Sequence, residues 1–389
     1  MGGSGNYEAK GALLKTIITD EFGCSSRMEA LRSSNASILS VGTALPPNVI
    51  PQSVAVSRLR ELWKEQYDSS REWRWLFEQI FRSVRVDQRY LALPLSEYPA
   101  LDSFSRTNNA WLRVAPELAT GAIQQALTRA QLAADSIDHL FFITGTGIAT
   151  PSVDALIVNR MGMRPDVRRT PIFGLGCAGG VAGIARAAEL LRSTDEVALA
   201  VSVELCSLTL QRDDSSIPNV IGAALFGDGA AAVILAGANS VGEGRFPRII
   251  ATRSVFYPST ERLMGWDVVD TGLRIVLSPA IPDIIREHLG NDVDGFLAAQ
   301  RLERSAITHW IAHTGGNRVL EAVAAALSLP AAALERSWRL LASTGNLSSA
   351  SVLFVLNDLI EEGAANPGDY GMLLAMGPGF CAELVLLRW

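Results

Sequence analysis

The chain has 389 residues, 48% hydrophobic and 19% charged, an ordinary globular composition with enough apolar mass for a large core. Its formal net charge of −6 argues against a nucleic-acid partner. Four widely spaced cysteines (24, 177, 206 and 381) make no CxxC pair and no Cys/His cluster, which predicts a reduced, cytoplasmic protein without structural zinc.

In chain order, residues 1–35 read as a polar leader with one weak helical pattern and no secretory signal. Residues 36–43 read as the first core strand, and 51–82 as an amphipathic helical stretch rich in Trp and Arg. A long helix is expected over 115–132, with Pro116 tolerated in its first turn. Strands follow at 138–144, 171–175, 197–203 and 230–236, with helices between them. The most apolar stretch, 222–237, is broken by glycines and Asp228 and reads as a buried strand rather than a membrane span. A second half begins near Arg245 and repeats the grammar: strand 249–252, helix near 280–289, strand 307–312, helices 317–326 and 350–361, strands 371–376 and 381–387. This alternation predicts an α/β fold with helices covering sheets.

Three junctions carry chemistry. The apolar run 171–175 breaks into Gly176-Cys177-Ala178-Gly179-Gly180, and a helix pattern follows over 181–192. A thiol there lies near a helix N-terminus, where peptide dipoles favour the nucleophilic thiolate. His313, one of four histidines, ends a strand pattern and precedes Gly315-Gly316. Asn346 follows Gly345 and opens a small-residue stretch before a helix. A buried cysteine, a structural histidine and a helix-capping asparagine are the bland alternatives. The three together point to thiol chemistry.

The motifs Cys-Ala-Gly-Gly (177–180), His-x-Gly-Gly (313–316), Gly-Asn-x-Ser-Ser-Ala (345–350) and Gly-Pro-Gly-Phe (377–380) stand in the order seen in type III polyketide synthases. The run Ala224-Leu225-Phe226-Gly227-Asp228-Gly229 is a further near match. The chain resembles this chalcone-synthase-like branch of the thiolase superfamily from about residue 37 to its end, and within it the bacterial alkylpyrone and alkylresorcinol synthases. The resemblance implies a five-layer αβαβα sandwich of two similar halves, here 36–244 and 245–389, and a homodimer. It implies acyl-CoA and malonyl-CoA as substrates, with no further cofactor.

The resemblance also assigns roles. Cys177 takes the acyl group, while His313 and Asn346 stabilise the oxyanion and the enolate of a decarboxylative Claisen condensation. Phe226 matches an aromatic gate between CoA tunnel and cavity. The second gate position falls on Ile275, an apolar wall without an aromatic plug. Gly145, Thr146, Thr209 and Ser348 match cavity-lining positions, and Gly377, Pro378 and Gly379 shape the cavity floor, although their sequence alone reads as a hairpin turn. Arg82 and Arg85 lie near the family's basic CoA-binding helix; as sequence they are equally a solvated helix face. This mix suggests a medium- or long-chain fatty acyl starter. Two alternatives share the fold: an initiating ketoacyl-ACP synthase, whose usual His-Gln-Ala-Asn motif is absent, and a non-catalytic partner protein.

Overall fold

The computed structural model describes residues 36–192, 194–237 and 246–389. The expected leader and the boundary expected between the halves lie outside the described residues.

The first half contributes strands β1 (Ser37–Ala44), β4 (His139–Thr144), β5 (Arg168–Phe173), β6 (Val197–Leu205) and β7 (Asp228–Ala236). The second contributes β8 (Arg248–Phe256), β11 (Ile307–Ala312), β12 (Tyr370–Gly377) and β13 (Cys381–Arg388). They line up as β11-β12-β13-β8-β1-β7-β6-β4-β5. Outward from the centre, β1 pairs antiparallel with β7, β7 antiparallel with β6, and β6 parallel with β4. On the other side β8, β13, β12 and β11 repeat that pattern of antiparallel, antiparallel, parallel. The two sets meet through the pair Ser37–Arg248. Two short hairpins complete the strands: β2 (Asn48–Pro51) with β3 (Gln88–Leu91), and β9 (Met264–Val269) with β10 (Gly272–Leu277).

Three apolar cores hold the layers together. Helices α6 (Gly179–Leu190) and α11 (Ser351–Glu361) sit between the two strand sets, in a core that draws on both halves. Both are buried almost all round, and α6 manages this with Gly and Ala; a Cβ on Gly180 would meet Ser349 O at 2.2 Å. Helices α4 (Phe104–Ala130) and α5 (Val153–Met161) cover the outer face of the first half. Helices α8 (Ile281–Ala298) and α9 (Asn317–Leu327) cover that of the second. The thiolase-like α/β sandwich expected from the sequence is the fold found.

Several local readings are corrected. Helix α4 begins at Phe104, so Pro116 lies in its interior rather than its first turn. Proline there costs about 3 kcal/mol. The buried stripe running from Trp111 through Leu118 and Ile123 to Leu127 outweighs it. The apolar stretch 222–237 is not one strand: helix α7 (Ile217–Leu225) ends inside it and β7 follows. Short apolar runs of either kind look alike in sequence. The stretch 51–82 divides into α1 (Gln52–Leu62), α2 (Lys64–Ser69) and α3 (Arg71–Ser83), and α10 (Glu335–Thr344) precedes Asn346.

Candidate active site

Cys177 sits in the single 3₁₀ turn Gly176–Ala178 that joins β5 to α6. His313 is the first residue past β11, and its N–H donates to Leu374 O at 2.9 Å, continuing the ladder with β12. Asn346 follows α10 after Gly345. The φ of Gly345 is +74°, and a Cβ there would approach Leu225 O to 2.7 Å, so the position admits glycine alone. Asn346 N–H donates to Leu225 O at 2.9 Å, and Gly227 N–H donates back to Asn346 O at 3.0 Å. The fold thus brings Cys177 from the first half together with His313 and Asn346 from the second. All three line one cavity of about 70 Å³ with Ser348, Phe226, Pro378 and Phe380.

The polar groups in that cavity are oriented. Asn346 Oδ1 accepts from Ser348 N–H at 2.8 Å and from Ser351 Oγ at 3.4 Å, so its amide nitrogen is the group left to serve Cys177. Asn346 thus serves as a turn residue through its side-chain carbonyl oxygen while its amide nitrogen stays available to the cavity. Ser348 Oγ lies 3.8 Å from Cys177 Sγ. Both ring nitrogens of His313 are buried without a hydrogen-bond partner among the described residues. Leaving such groups unpaired costs about 1–3 kcal/mol, which an incoming oxygen atom would recover.

Charge is disfavoured here. Burial pushes the Cys177 thiol up to about 12, against the hydrogen bonds of Ser348 and Asn346 and with the help of the Glu204 carboxylate. Burial lowers His313 to about 3, so the imidazole is neutral. The expected thiolate-favouring helix terminus is thus outweighed for an isolated thiol.

The hairpin 377–380 reads correctly as a turn: Gly377 pairs with Cys381 at the β12–β13 end. It also packs on the nucleophile turn, since a Cβ on Gly377 would lie 2.4 Å from Leu175 O. Pro378 lines the small cavity, whereas Gly377 and Gly379 do not. Phe226 and Ile275 separate the catalytic cavity from a second one of about 680 Å³, which holds none of the three candidate catalytic residues. Thr209 lines that larger space, its Oγ1 donating to Cys206 O at 2.8 Å.

Other assignments are revised. Gly145 and Thr146 line neither cavity; they are buried around Glu204, which accepts from Gly145 N–H at 3.0 Å and Thr146 Oγ1 at 2.9 Å. Arg82 and Arg85 are exposed and line neither cavity, and Arg85 lies over the Trp338 ring at 4.7 Å. The wall at Ile275 does not lack an aromatic group. Trp266 is its cross-strand partner in the β9–β10 hairpin and lines both cavities. Sequence reasoning missed Trp266 because register, not spacing, places it. It also missed Glu204, fully buried and raised by burial to about 7; one acid in the apolar run 197–205 was the available signal.

Residues 24–239 match the family described as chalcone and stilbene synthases, N-terminal domain, and residues 248–389 match the C-terminal domain of the same family. The chain is 49% identical over 355 residues to a 1,3,6,8-tetrahydroxynaphthalene synthase of Streptomyces peucetius subsp. caesius, covering 91% of this chain and 93% of that one. It is 31% identical over 363 residues to a 3,5-dihydroxyphenylacetyl-CoA synthase of Streptomyces toyocaensis, covering 90% and 92%. Its fold matches the crystal structure of the 1,3,6,8-tetrahydroxynaphthalene synthase from Streptomyces coelicolor, a bacterial type III polyketide synthase. The TM-score is 0.85, the identity 29%, and the match covers 91% of this chain and 99% of that one.

Proposed function

Because the chain belongs to the chalcone and stilbene synthase family of type III polyketide synthases, acyltransferases that run decarboxylative condensations, we propose that Cys177, His313 and Asn346 are its catalytic residues. The observation that carries this reading is their convergence from both halves on one small cavity. The thiolate of Cys177 attacks the acyl-CoA carbonyl, and CoA leaves with the proton held by His313. Malonyl-CoA then loses CO2. The resulting enolate, its oxygen held by the His313 ring N–H and the Asn346 amide, attacks the Cys177 thioester through carbon and expels the thiolate. No residue needs a metal in this sequence of steps.

The starter we propose is a medium- or long-chain fatty acyl group, giving alkylpyrone or alkylresorcinol products. The support is the cavity of about 680 Å³ beyond Phe226, Trp266 and Ile275, well within the range of ligand pockets, whose lining combines a set of leucines with polar side chains that include Arg58, Arg89 and Arg212. A second reading, priming by malonyl-CoA to give a tetrahydroxynaphthalene, is favoured by the name of the 49%-identical relative. That name is also carried by a protein 29% identical. Malonyl-CoA supplied alone decides between them: a naphthalene product supports the second reading, and a requirement for an added acyl-CoA supports the first.

The catalytic assignment is tested by variants. Cys177→Ala should abolish condensation, and intact mass after acyl-CoA treatment should show one adduct, on the Cys177 peptide. Asn346→Ala should impair CO2 release while sparing most acylation, and His313→Ala should impair both. Removing a placed oxyanion donor costs about 100- to 1000-fold. Acylation at Cys206 or Cys381, or equal loss of acylation in both variants, would refute the assignment. Arg82 and Arg85 remain proposed contacts for the CoA phosphates. Arg82→Ala should then raise KM for acyl-CoA but not for the N-acetylcysteamine thioester, which carries no phosphate.

A further inference from the structure

Arg89, on β3, is 3% exposed and its guanidinium makes a cluster of bonds to one short segment. Nη1 donates to Ala223 O and, at 3.2 Å, to Phe226 O. Nη2 donates to Ala224 O at 2.5 Å and to Gln52 Oε1, and Gln52 Nε2 reaches the same Ala224 O at 3.1 Å. These carbonyls are at the C-terminal end of α7, where helix carbonyls lack partners and the helix dipole favours a cation. Behind the segment, the buried carboxylate of Asp228 offsets the Arg89 charge. It accepts from Ala92 N–H at 2.5 Å and Ser207 N–H at 2.8 Å. A buried charge adds little to stability over apolar side chains of the same volume, so the distinguishing contribution of Arg89 is fixed geometry.

What the cluster fixes is the segment on which the candidate site depends. Residues 225–227 carry Phe226, which separates the two cavities, and hold Asn346 by the two backbone hydrogen bonds described above. We infer that Arg89 is a positioning residue: through the end of α7 it sets Phe226 and Asn346 relative to Cys177. The Asn346 limb of this inference rests on the proposed role of Asn346 in decarboxylation; the Phe226 limb does not.

Arg89→Lys keeps the charge opposite Asp228 but cannot bridge three carbonyls with a planar fork. Gln52→Leu leaves Arg89 intact and removes its partner at the half-buried start of α1, so it is the milder variant should Arg89→Lys fold poorly. Cys177 acylation, CO2 release from malonyl-CoA, starter chain-length preference and melting temperature are measured for both variants beside Asn346→Ala. The expected result is CO2 release lowered about 10- to 100-fold, as for an ångström-scale misplacement, with acylation within about threefold of the parent and a broadened starter preference. Acylation and CO2 release falling together, in step with melting temperature, would overturn the inference and leave Arg89 a structural residue. So would unchanged CO2 release in both variants when Asn346→Ala impairs it; in that case the role of Asn346 stands. If Asn346→Ala spares CO2 release, the role of Asn346 falls instead. Because Arg89 itself lines the large cavity, it is then upheld by a changed starter preference in Gln52→Leu, whose side chain lines neither cavity, and overturned by an unchanged one.

Discussion

At Cys177 and His313 the same burial acts in opposite directions on an acid and a base, and both end neutral when taken singly. Two outcomes follow. First, if His313 takes the Cys177 proton as proposed, iodoacetamide should inactivate the parent enzyme at pH 7. In His313→Gln the thiol stands alone in a dry pocket, and alkylation should require clearly alkaline pH; unchanged reactivity at pH 7 would show that His313 does not generate the nucleophile. Second, His313 has a folded value below its unfolded one, so its neutral form contributes stability fully above about pH 6.5, lost as pH falls towards 3. Glu204, raised from 4.5 to about 7, acts oppositely and contributes stability that is lost as pH rises over that interval. Comparing the parent with His313→Gln cancels the Glu204 effect. Between pH 7 and pH 5 the variant should gain on the order of 2 kcal/mol relative to the parent, read from paired thermal melts.

The β9–β10 hairpin and the hairpin at 377–380 set the walls of the site. Trp266 and Ile275 face each other across β9 and β10, and together with Phe226 they divide the catalytic cavity from the large one. Trp266→Ala should open the partition and extend the usable starter, whereas Ile275→Phe should shift preference to shorter chains. Each methylene accommodated is worth about 0.8 kcal/mol, close to fourfold in kcat/KM. A panel of fatty acyl-CoA starters with product masses checks both; no change in either variant would remove these residues from starter selection. In the other hairpin, Gly377→Ala would push against Leu175 O and the Ala178 N–H, on either side of the nucleophile. Acylation of Cys177 should fall by an order of magnitude or more, roughly the effect of an ångström of displacement.

The whole molecule is a duplicated sandwich whose central helices belong to one half each, so the site forms where the halves meet. β5 ends the strand order with an unpaired edge, exposed from Arg168 to Pro171 and again at Phe173. Phe173 is 54% exposed, and Ile148, in the loop after β4, and Leu156, on α5, are also open. Bare edges with apolar side chains are what a second copy covers. A homodimer through this edge is therefore the proposed assembly. Light scattering should give twice the chain mass, and Phe173→Glu should give the single-chain mass; a monomeric parent would refute it. Among the described residues no helix is long and apolar enough to cross a membrane.

The layered sandwich rested on the family resemblance, whereas the sequence by itself determined the α/β class and the candidate trio of Cys177, His313 and Asn346. Both are written in local signals: strand and helix periods, and Cys, His and Asn each within two residues of glycine at an element's end. Their environment was decided only by the tertiary structure. Trp266 reaches the cavity wall through strand register, Arg89 reaches the end of α7 through a hairpin more than a hundred residues away in sequence, and Gly145 and Thr146 turn to Glu204 instead of a cavity. The raised thiol has the same origin. A helix-terminal position is visible in sequence, but the burial that outweighs it depends on every layer packed around Cys177.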